Sequence, residues 1–281
     1  MTPKDILLHL RLPFSFFLMP VYWFAISQTP NVDKPKAFWI FVILHIFIYP
    51  ASNAYNSYFD KDEGSIGGLE KPPAVDKKLF WVSWAIDILA VIIGFFVIDW
   101  LFALMIFIYG LISKAYSNDT IRLKKYPILS WFIVGIFQGA FTYFMVLLAF
   151  VSEVELLETN IFPAIISTLM LWAVYPMSQI YQHEEDAKRG DTTMSMLLGI
   201  KGTFVFTASV FSLAFFAFFL YFKQSDFIVL LLFNLPTLGF FGWWFLKVLK
   251  DKNQANFKNT MWLNLLASIC LNSFYIWLCF R

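Results

Sequence analysis

The chain has 281 residues, of which 59% are hydrophobic and only 14% are charged, and its net charge is +2. This much apolar surface excludes a soluble globular domain, and the small net charge argues against a nucleic-acid partner. The apolar residues occur in long runs instead of amphipathic stripes, so lipid is the expected surrounding. We therefore predict an all-α integral membrane protein with residues 1–281 in a single domain.

Nine apolar runs are long enough for a spanning helix, which needs about 20 mostly apolar residues. In chain order, their centres lie near Leu18, Ile46, Ala90, Ile106, Ala140, Leu169, Ser212, Leu235 and Ile269. Asp99 divides the stretch Leu79–Ser113 into the third and fourth spans, and eight spans are the alternative if it does not.

The distribution of basic residues predicts the orientation. With the N-terminus inside, the Lys and Arg residues placed outside are only Lys34, Lys36, Lys223 and Arg281, out of 21 in total. This asymmetry predicts a multi-pass protein of the cell (inner) membrane with a cytoplasmic N-terminus and an outside C-terminus. The outward loop 152–160 is acidic and is predicted to be a solvated tip without chemistry.

The first polar cluster ends the second span and reads Asn53-Ala-Tyr-Asn56-Ser-Tyr-Phe-Asp60-Lys61-Asp62-Glu63-Gly64. Asn53, Asn56 and Asp60 are spaced i, i+3 and i+7, which places them on one face of a helix. Oxygen ligands stacked in this way, beside Asp62, suit a hard divalent cation such as Mg²⁺ that also holds phosphate oxygens. A polar helix end that meets water is the simpler alternative.

The second cluster follows the sixth span and reads Gln182-His-Glu-Glu185-Asp186-Ala-Lys188-Arg189-Gly190-Asp191-Thr-Thr193. Glu185 and Asp186 are candidate metal ligands, and Lys188 and Arg189 carry positive charge that can meet a diphosphate. A charged loop that caps a helix is the alternative interpretation.

The third cluster lies between the fourth and fifth spans and reads Lys114-Ala-Tyr116-Ser117-Asn-Asp119-Thr120-Ile-Arg122-Leu-Lys124-Lys125. The positive-inside rule, by which Lys and Arg anchor cytoplasmic loops, explains its basic residues without any function. A basic loop between two acidic loops nevertheless supplies the parts needed to bind a metal and a diphosphate above a membrane cavity. Such a site favours ionisation of an allylic C–O bond by stabilising the leaving diphosphate.

The three clusters, in this order, resemble the motifs of the UbiA superfamily of intramembrane prenyltransferases. The segment Asn56–Gly64 is similar to the family's Asn-Asp-x-x-Asp-x-x-x-Asp, and Tyr116–Lys124 is similar to Tyr-Ser-x-Pro-Pro-x-Arg-Leu-Lys. The segment Gln182–Gly199 resembles Asp-x-x-x-Asp followed by Gly-x-x-Thr and Leu-Gly. An Arg11-Leu-Pro13 opening is also similar to the family's.

The resemblance implies a nine-helix barrel with a central cavity open to lipid. It also implies Mg²⁺-dependent transfer of a prenyl group from a prenyl diphosphate to a hydrophobic, apolar or aromatic acceptor. Asn56, Asp60 and Asp186 are the expected catalytic positions. The expected metal ligands are Asn56, Asp60, Asp62, Glu185 and Asp186, and the expected diphosphate contacts are Lys61, Tyr116, Arg122, Lys124, Lys188 and Arg189.

The chain departs from the family pattern at three carboxylates, since Ser57, Gly64 and Gln182 stand in their places. The possible substitutes are Asp62, Glu63, Glu184 and Glu185, but substitution requires the helix to unwind there. Gly64 and the Gly67-Gly68 pair favour such unwinding. A relative that binds lipids or isoprenoids without transferase chemistry is therefore the first alternative.

A small-solute transporter is the second alternative. Its support is Asp87 together with Asn234, Asn264 and Asn272, which are polar residues inside predicted spans. A carboxylate such as Asp87 is costly there and a functional candidate. We expect Asp87 to line the cavity or to pair with a polar group of another helix.

Overall fold

The structure is a computed structural model that describes residues 1–151 and 154–281. Nine of its helical segments are apolar and long enough to cross a membrane. They are α1 (Pro3–Gln28), α2 (Lys34–Asp60), α3 (Lys77–Ile98), α4 (Trp100–Ser117), α5 (Pro127–Leu148), α6 (Leu156–Gln179), α7 (Met194–Tyr221), α8 (Gln224–Lys250) and α9 (Phe257–Cys279). Every predicted centre falls within its span, so the predicted count of nine is confirmed for the described chain.

The predicted solvated tip at 152–160 is only partly described. Ser152 and Glu153 lie outside the described residues, and a short helix covers Val154–Thr159.

Polar side chains at the loop ends fix where several spans begin. Asp99 accepts a hydrogen bond from the backbone N–H of Phe102 at 2.8 Å, and Asp76 accepts one from Lys78 at 2.7 Å. Caps of this kind satisfy first-turn N–H groups that no helix carbonyl can reach. Asp99 therefore separates α3 from α4, as the sequence predicted.

Three spans contain a short stretch of wider π-helical turn, at Ile43–Ile48, Gly94–Ile98 and Phe137–Phe141. The third stretch brings two backbones together, because a Cβ atom added at Gly139 would lie 2.6 Å from Cα of Thr168 on α6. Only a glycine permits this approach between α5 and α6.

Consecutive spans pack side by side, and α9 packs against α1, so the spans form a closed ring. The closing contact includes a stacked pair of rings, Phe24 on α1 and Tyr275 on α9, whose centroids are 4.6 Å apart. Apolar side chains such as Phe96 point outward, where the predicted lipid lies. The ring surrounds a central cavity of about 290 Å³.

The charged loops that follow α2, α4 and α6 lie at one end of the ring. Gln182 donates a hydrogen bond to the backbone carbonyl of Ser65 at 3.4 Å, which joins the loops after α6 and α2. Arg122 in the loop after α4 binds Asp191 in the loop after α6. The two acidic loops therefore face one another, as predicted.

A buried ion pair joins α3 and α4. Asp87 binds the ammonium group of Lys114, and their side chains are 11% and 6% exposed. The prediction that Asp87 pairs with a polar group of another helix is confirmed. Lys114, which the sequence placed in the loop after the fourth span, instead belongs to the last turn of α4, and its Nζ lies 4.6 Å from the Trp84 ring centroid.

Candidate active site

The helix of the first acidic segment ends before Asp62, which is what the substitution of Asp62 for a missing motif carboxylate requires. The helix that ends α2 stops at Asp60, and the next residue, Lys61, has a left-handed backbone with φ of 51°. Asp62 therefore lies off the helix axis. Gly64 leaves room for the other acidic loop, because a Cβ atom there would be 3.2 Å from Cγ of Glu185.

Two acidic and two basic side chains form what we call the ionic core, which consists of Asp60, Arg122, Lys124 and Asp191. Lys124 binds Asp60 and also lies 3.4 Å from Oδ2 of Asp191. Arg122 donates from Nε and Nη2 to the two carboxylate oxygens of Asp191, both at 2.8 Å. Asp60, Lys124 and Asp191 are buried, so these charges interact more strongly than surface pairs do.

Arg189 links the two acidic loops beside the ionic core. Its Nη1 lies 2.5 Å from Oδ1 of Asp62, and its Nη2 lies 3.8 Å from Oε2 of Glu185. Lys188 is exposed and reaches Glu185 at 2.8 Å. Lys61 is exposed and forms no ion pair with the described residues. The structure therefore brings Arg189 to the predicted site and leaves Lys61 and Lys188 at its edge.

Asp186 is half-buried and forms no ion pair within residues 1–151 and 154–281. Burial, reinforced by the negative charges of Asp60 and Asp191, raises the pKa of Asp186 to about 7, although Lys124 opposes the rise. Burial together with Asp60 also raises the pKa of Asp62, although Arg189 opposes this rise. Burial and the neighbouring carboxylates therefore disfavour the charged forms of Asp186 and Asp62.

The donor set fits Mg²⁺ in its chemistry. Asn56, Asp60, Asp62 and Asp186 offer the oxygen ligands that this ion prefers, and a cation would stabilise the charged carboxylates. In the described chain, no three His, Cys, Asp or Glu side chains converge on one point. Lys124 instead binds Asp60 and Arg189 binds Asp62, so the metal site stays a prediction.

Polar side chains connect the ionic core to the central cavity. Asn56, one turn before Asp60 on α2, lines the cavity and accepts a hydrogen bond from Ser117 at 2.6 Å. Tyr116 also lines it, and its hydroxyl lies 2.5 Å from that of Tyr175 on α6. Deeper in the ring the wall becomes apolar and aromatic, with Phe24, Leu271 and Tyr275 among its residues. A charged and polar end above an apolar chamber suits an amphiphile with a charged head.

Two residues of the site were missed as site residues by sequence reasoning. Asp191 lies in the second cluster but at a position that the family motif leaves open. Arg11 is buried, lines the cavity, and donates to the backbone carbonyls of Asn53 and Gly67 at 3.1 and 3.3 Å. The Arg11-Leu-Pro13 opening was the available signal for Arg11, whereas no local pattern marks Asp191.

The comparison with protein families decides the family of this chain. A sequence model of the UbiA prenyltransferase family matches residues 17–266. The chain belongs to this family. The UbiA match covers seven spans (α2–α8) completely and parts of α1 and α9, together with all three polar clusters. A search of curated proteins finds no match.

Solved structures share the fold of this UbiA family member. A UbiA homologue from Archaeoglobus fulgidus bound to DMAPP and Mg²⁺ has a TM-score of 0.72 at 16% identity, covering 98% of this chain and 99% of that one. A UbiA homologue from Aeropyrum pernix K1 in its apo form has a TM-score of 0.67 at 16% identity, covering 94% and 98%. A digeranylgeranylglyceryl phosphate synthase has a TM-score of 0.62 at 18% identity, covering 99% of both chains. At these identities the likeness establishes the all-α fold alone.

Proposed function

We propose that the protein transfers a prenyl group from a prenyl diphosphate to an apolar or aromatic acceptor within the membrane, with the help of Mg²⁺. The observation that carries the proposal is the ionic core one helical turn from Asn56, which lines the polar end of a largely apolar cavity. A prenyl diphosphate has the matching polarity, since its head is a strong anion and its tail is a hydrocarbon. The enzyme would lie in the cell membrane with its ionic core on the cytoplasmic side.

Each part of the site has a task in this proposal. Lys124 and Arg122 would bind the diphosphate and stabilise the charge that develops on it as the C–O bond breaks. Asn56, Asp60, Asp62 and Asp186 would hold Mg²⁺, which supplies further stabilisation of the leaving diphosphate. The apolar cavity wall would exclude water, so that the prenyl cation bonds to the acceptor, which then loses a proton to the departing diphosphate.

The ion pairs of the ionic core must rearrange when a diphosphate binds. Lys124 is now bound to Asp60, so the ligand would have to replace that carboxylate as its partner. A divalent cation at Asp60 would remove the same attraction. Diphosphate and Mg²⁺ should therefore bind cooperatively, each increasing the affinity for the other.

Calorimetry on detergent-purified protein tests the proposal. Binding of a non-hydrolysable prenyl diphosphate analogue would be measured with and without Mg²⁺, for wild type and for Asp60→Asn and Asp186→Asn. We expect binding that needs Mg²⁺ and weakens at least about tenfold in both variants. Asp251→Asn, at an exposed residue beyond α8, serves as the matched control and should bind as the wild type does.

Two outcomes would contradict the proposal. Binding that ignores Mg²⁺ and survives both substitutions would favour the isoprenoid-binding protein instead. The transferase would be excluded if the protein bound no prenyl diphosphate of any chain length and turned over none of the acceptors tested. Asp87 no longer supports the transporter alternative specifically, because its pairing with Lys114 gives it a structural role.

A further inference from the structure

We infer that Asp191 is a positioning residue, which aims the guanidinium group of Arg122 and the ammonium group of Lys124 at the place of the diphosphate beside Asp60. This inference rests on the proposed function and deepens it. Asp191 is not itself proposed to touch the substrate or the metal. It acts through the two basic residues that do.

The hydrogen bonds of Arg122 show how it is aimed. A guanidinium group has five N–H donors in one plane. Asp191 takes the Nε donor and one Nη2 donor along one edge, and Asp119 accepts from Nη1 at 3.0 Å. The donors left over are one on Nη1 and one on Nη2, and Nη2 lies 3.9 Å from Oδ1 of Asp60. The free end of the group therefore lies toward Asp60.

The two acidic partners of Arg122 differ in burial, which assigns the positioning to one of them. The side chain of Asp191 is 1% exposed, whereas that of Asp119 is 70% exposed. Water screens the contact with Asp119, so it constrains the guanidinium group weakly. The bidentate contact with Asp191 fixes both the position and the plane of the group.

Asp191 is itself held rigidly. Its backbone N–H donates to the carbonyl of Asp186 at 3.0 Å, at the end of the short helix His183–Lys188. Two residues later, Thr193 caps α7 through the N–H of Met196. The carboxylate thus links the loop after α4 to a loop that is anchored at both ends. The backbone hydrogen bond also fixes the position of Asp191 relative to Asp186.

Lys124 shares the same support. Its Nζ lies 3.4 Å from Oδ2 of Asp191, the oxygen that also accepts from Nη2 of Arg122. A single carboxylate therefore keeps two cations within a few ångströms of each other, although they repel. If a diphosphate replaces Asp60 as the partner of Lys124, Asp191 keeps both cations in place during the exchange.

The test compares Asp191→Asn and Asp191→Glu with the control Asp119→Asn, which removes the exposed partner of the same guanidinium group. Binding of inorganic diphosphate with Mg²⁺ would be measured by calorimetry, and so would binding of geraniol, which offers a prenyl tail without the diphosphate. We expect Asp191→Asn to weaken diphosphate binding about 10- to 100-fold and to leave geraniol binding unchanged. Asp191→Glu should restore part of the affinity, and Asp119→Asn should change it less than about twofold.

A double-variant cycle separates positioning from general stability. Arg122→Lys removes the planar edge that Asp191 holds, so Asp191→Asn should weaken binding less in the Arg122→Lys background than in wild type, and the loss that remains reports its support of Lys124. A lower unfolding temperature in Asp191→Asn with unchanged diphosphate affinity would overturn the inference. Tighter diphosphate binding in Asp191→Asn would also overturn it, because Asp191 would then compete with the diphosphate for Arg122 and Lys124. Wild-type protein that binds no diphosphate would overturn the proposed function and this role with it.

Discussion

The buried pair of Asp87 and Lys114 gives the sharpest test of the packing, through Asp87→Val, Lys114→Met and the double variant. Removing one partner of a buried pair leaves an unpaired charge, which costs about 3–5 kcal/mol. The structure predicts unequal costs for the two single variants. In Asp87→Val, the ammonium group keeps its contacts with the rings of Tyr55 and Trp84, at 5.0 and 4.6 Å, and each is worth about 0.5–2 kcal/mol.

The carboxylate has no such support. Oδ1 of Asp87 already lacks a hydrogen-bond partner among the described residues, so Lys114→Met leaves both oxygens unpaired. We expect about 5 kcal/mol of destabilisation for Lys114→Met and about 3 kcal/mol for Asp87→Val. The double variant should recover most of the loss, because it buries no charge.

The free energy of unfolding would be measured by titrating detergent-solubilised protein with SDS. Ile88→Val is the control, because Ile88 is the next residue on α3 and its side chain is 56% exposed, toward the predicted lipid. It should change the free energy by less than about 0.5 kcal/mol. A double variant as unstable as the sum of the two single variants would refute the reasoning. Stable single variants that lose solute uptake in proteoliposomes would instead restore the transporter alternative.

Two further predictions concern packing and pH. Gly139→Ala should destabilise the protein by about 1–3 kcal/mol in the same titration, because its Cβ would lie 2.6 Å from Cα of Thr168. Gly239→Ala, with no heavy atom within 4 Å of the added Cβ, should be neutral or slightly stabilising, and an equal loss in both variants would contradict the close approach. Mg²⁺-dependent diphosphate binding should weaken as the pH falls from 8 to 6, because the carboxyl group of Asp186 becomes protonated below its raised pKa of about 7. Calorimetry at the two pH values would show a steeper slope in wild type than in Asp186→Asn, where the ionisation of the ligand itself remains, and equal slopes in the two proteins would exclude Asp186 as a source.

The spans were predictable because the bilayer imposes a length on every apolar run. Even the close neighbours α3 and α4 were separated correctly, since an aspartate between two apolar runs both ends one helix and caps the next. The meeting of the acidic loops also followed, because an even number of spans between them places both at one end of the ring.

The partners of the charged side chains were not predictable in the same way. Arg122 and Asp191 are 69 residues apart in sequence, and only the fold brings the loop after α4 against the loop after α6. Lys114 was placed in a loop because a lysine at a span boundary resembles an anchor, and its partner lies on another helix. Likewise, the space that Gly64 leaves for Glu185 depends on two loops whose separation no local pattern encodes.

The contact between α1 and α9 sets an order for biosynthesis. Phe24 can stack on Tyr275 only after α9 has been made, roughly 230 residues after α1. At about 5–20 residues per second, α1 waits roughly 10 to 50 seconds for its neighbour. During that interval the cavity wall is open on one side, and the polar residues that line it are exposed to lipid or to the insertion machinery. A chain truncated before α9 would therefore insert into the membrane without a closed chamber.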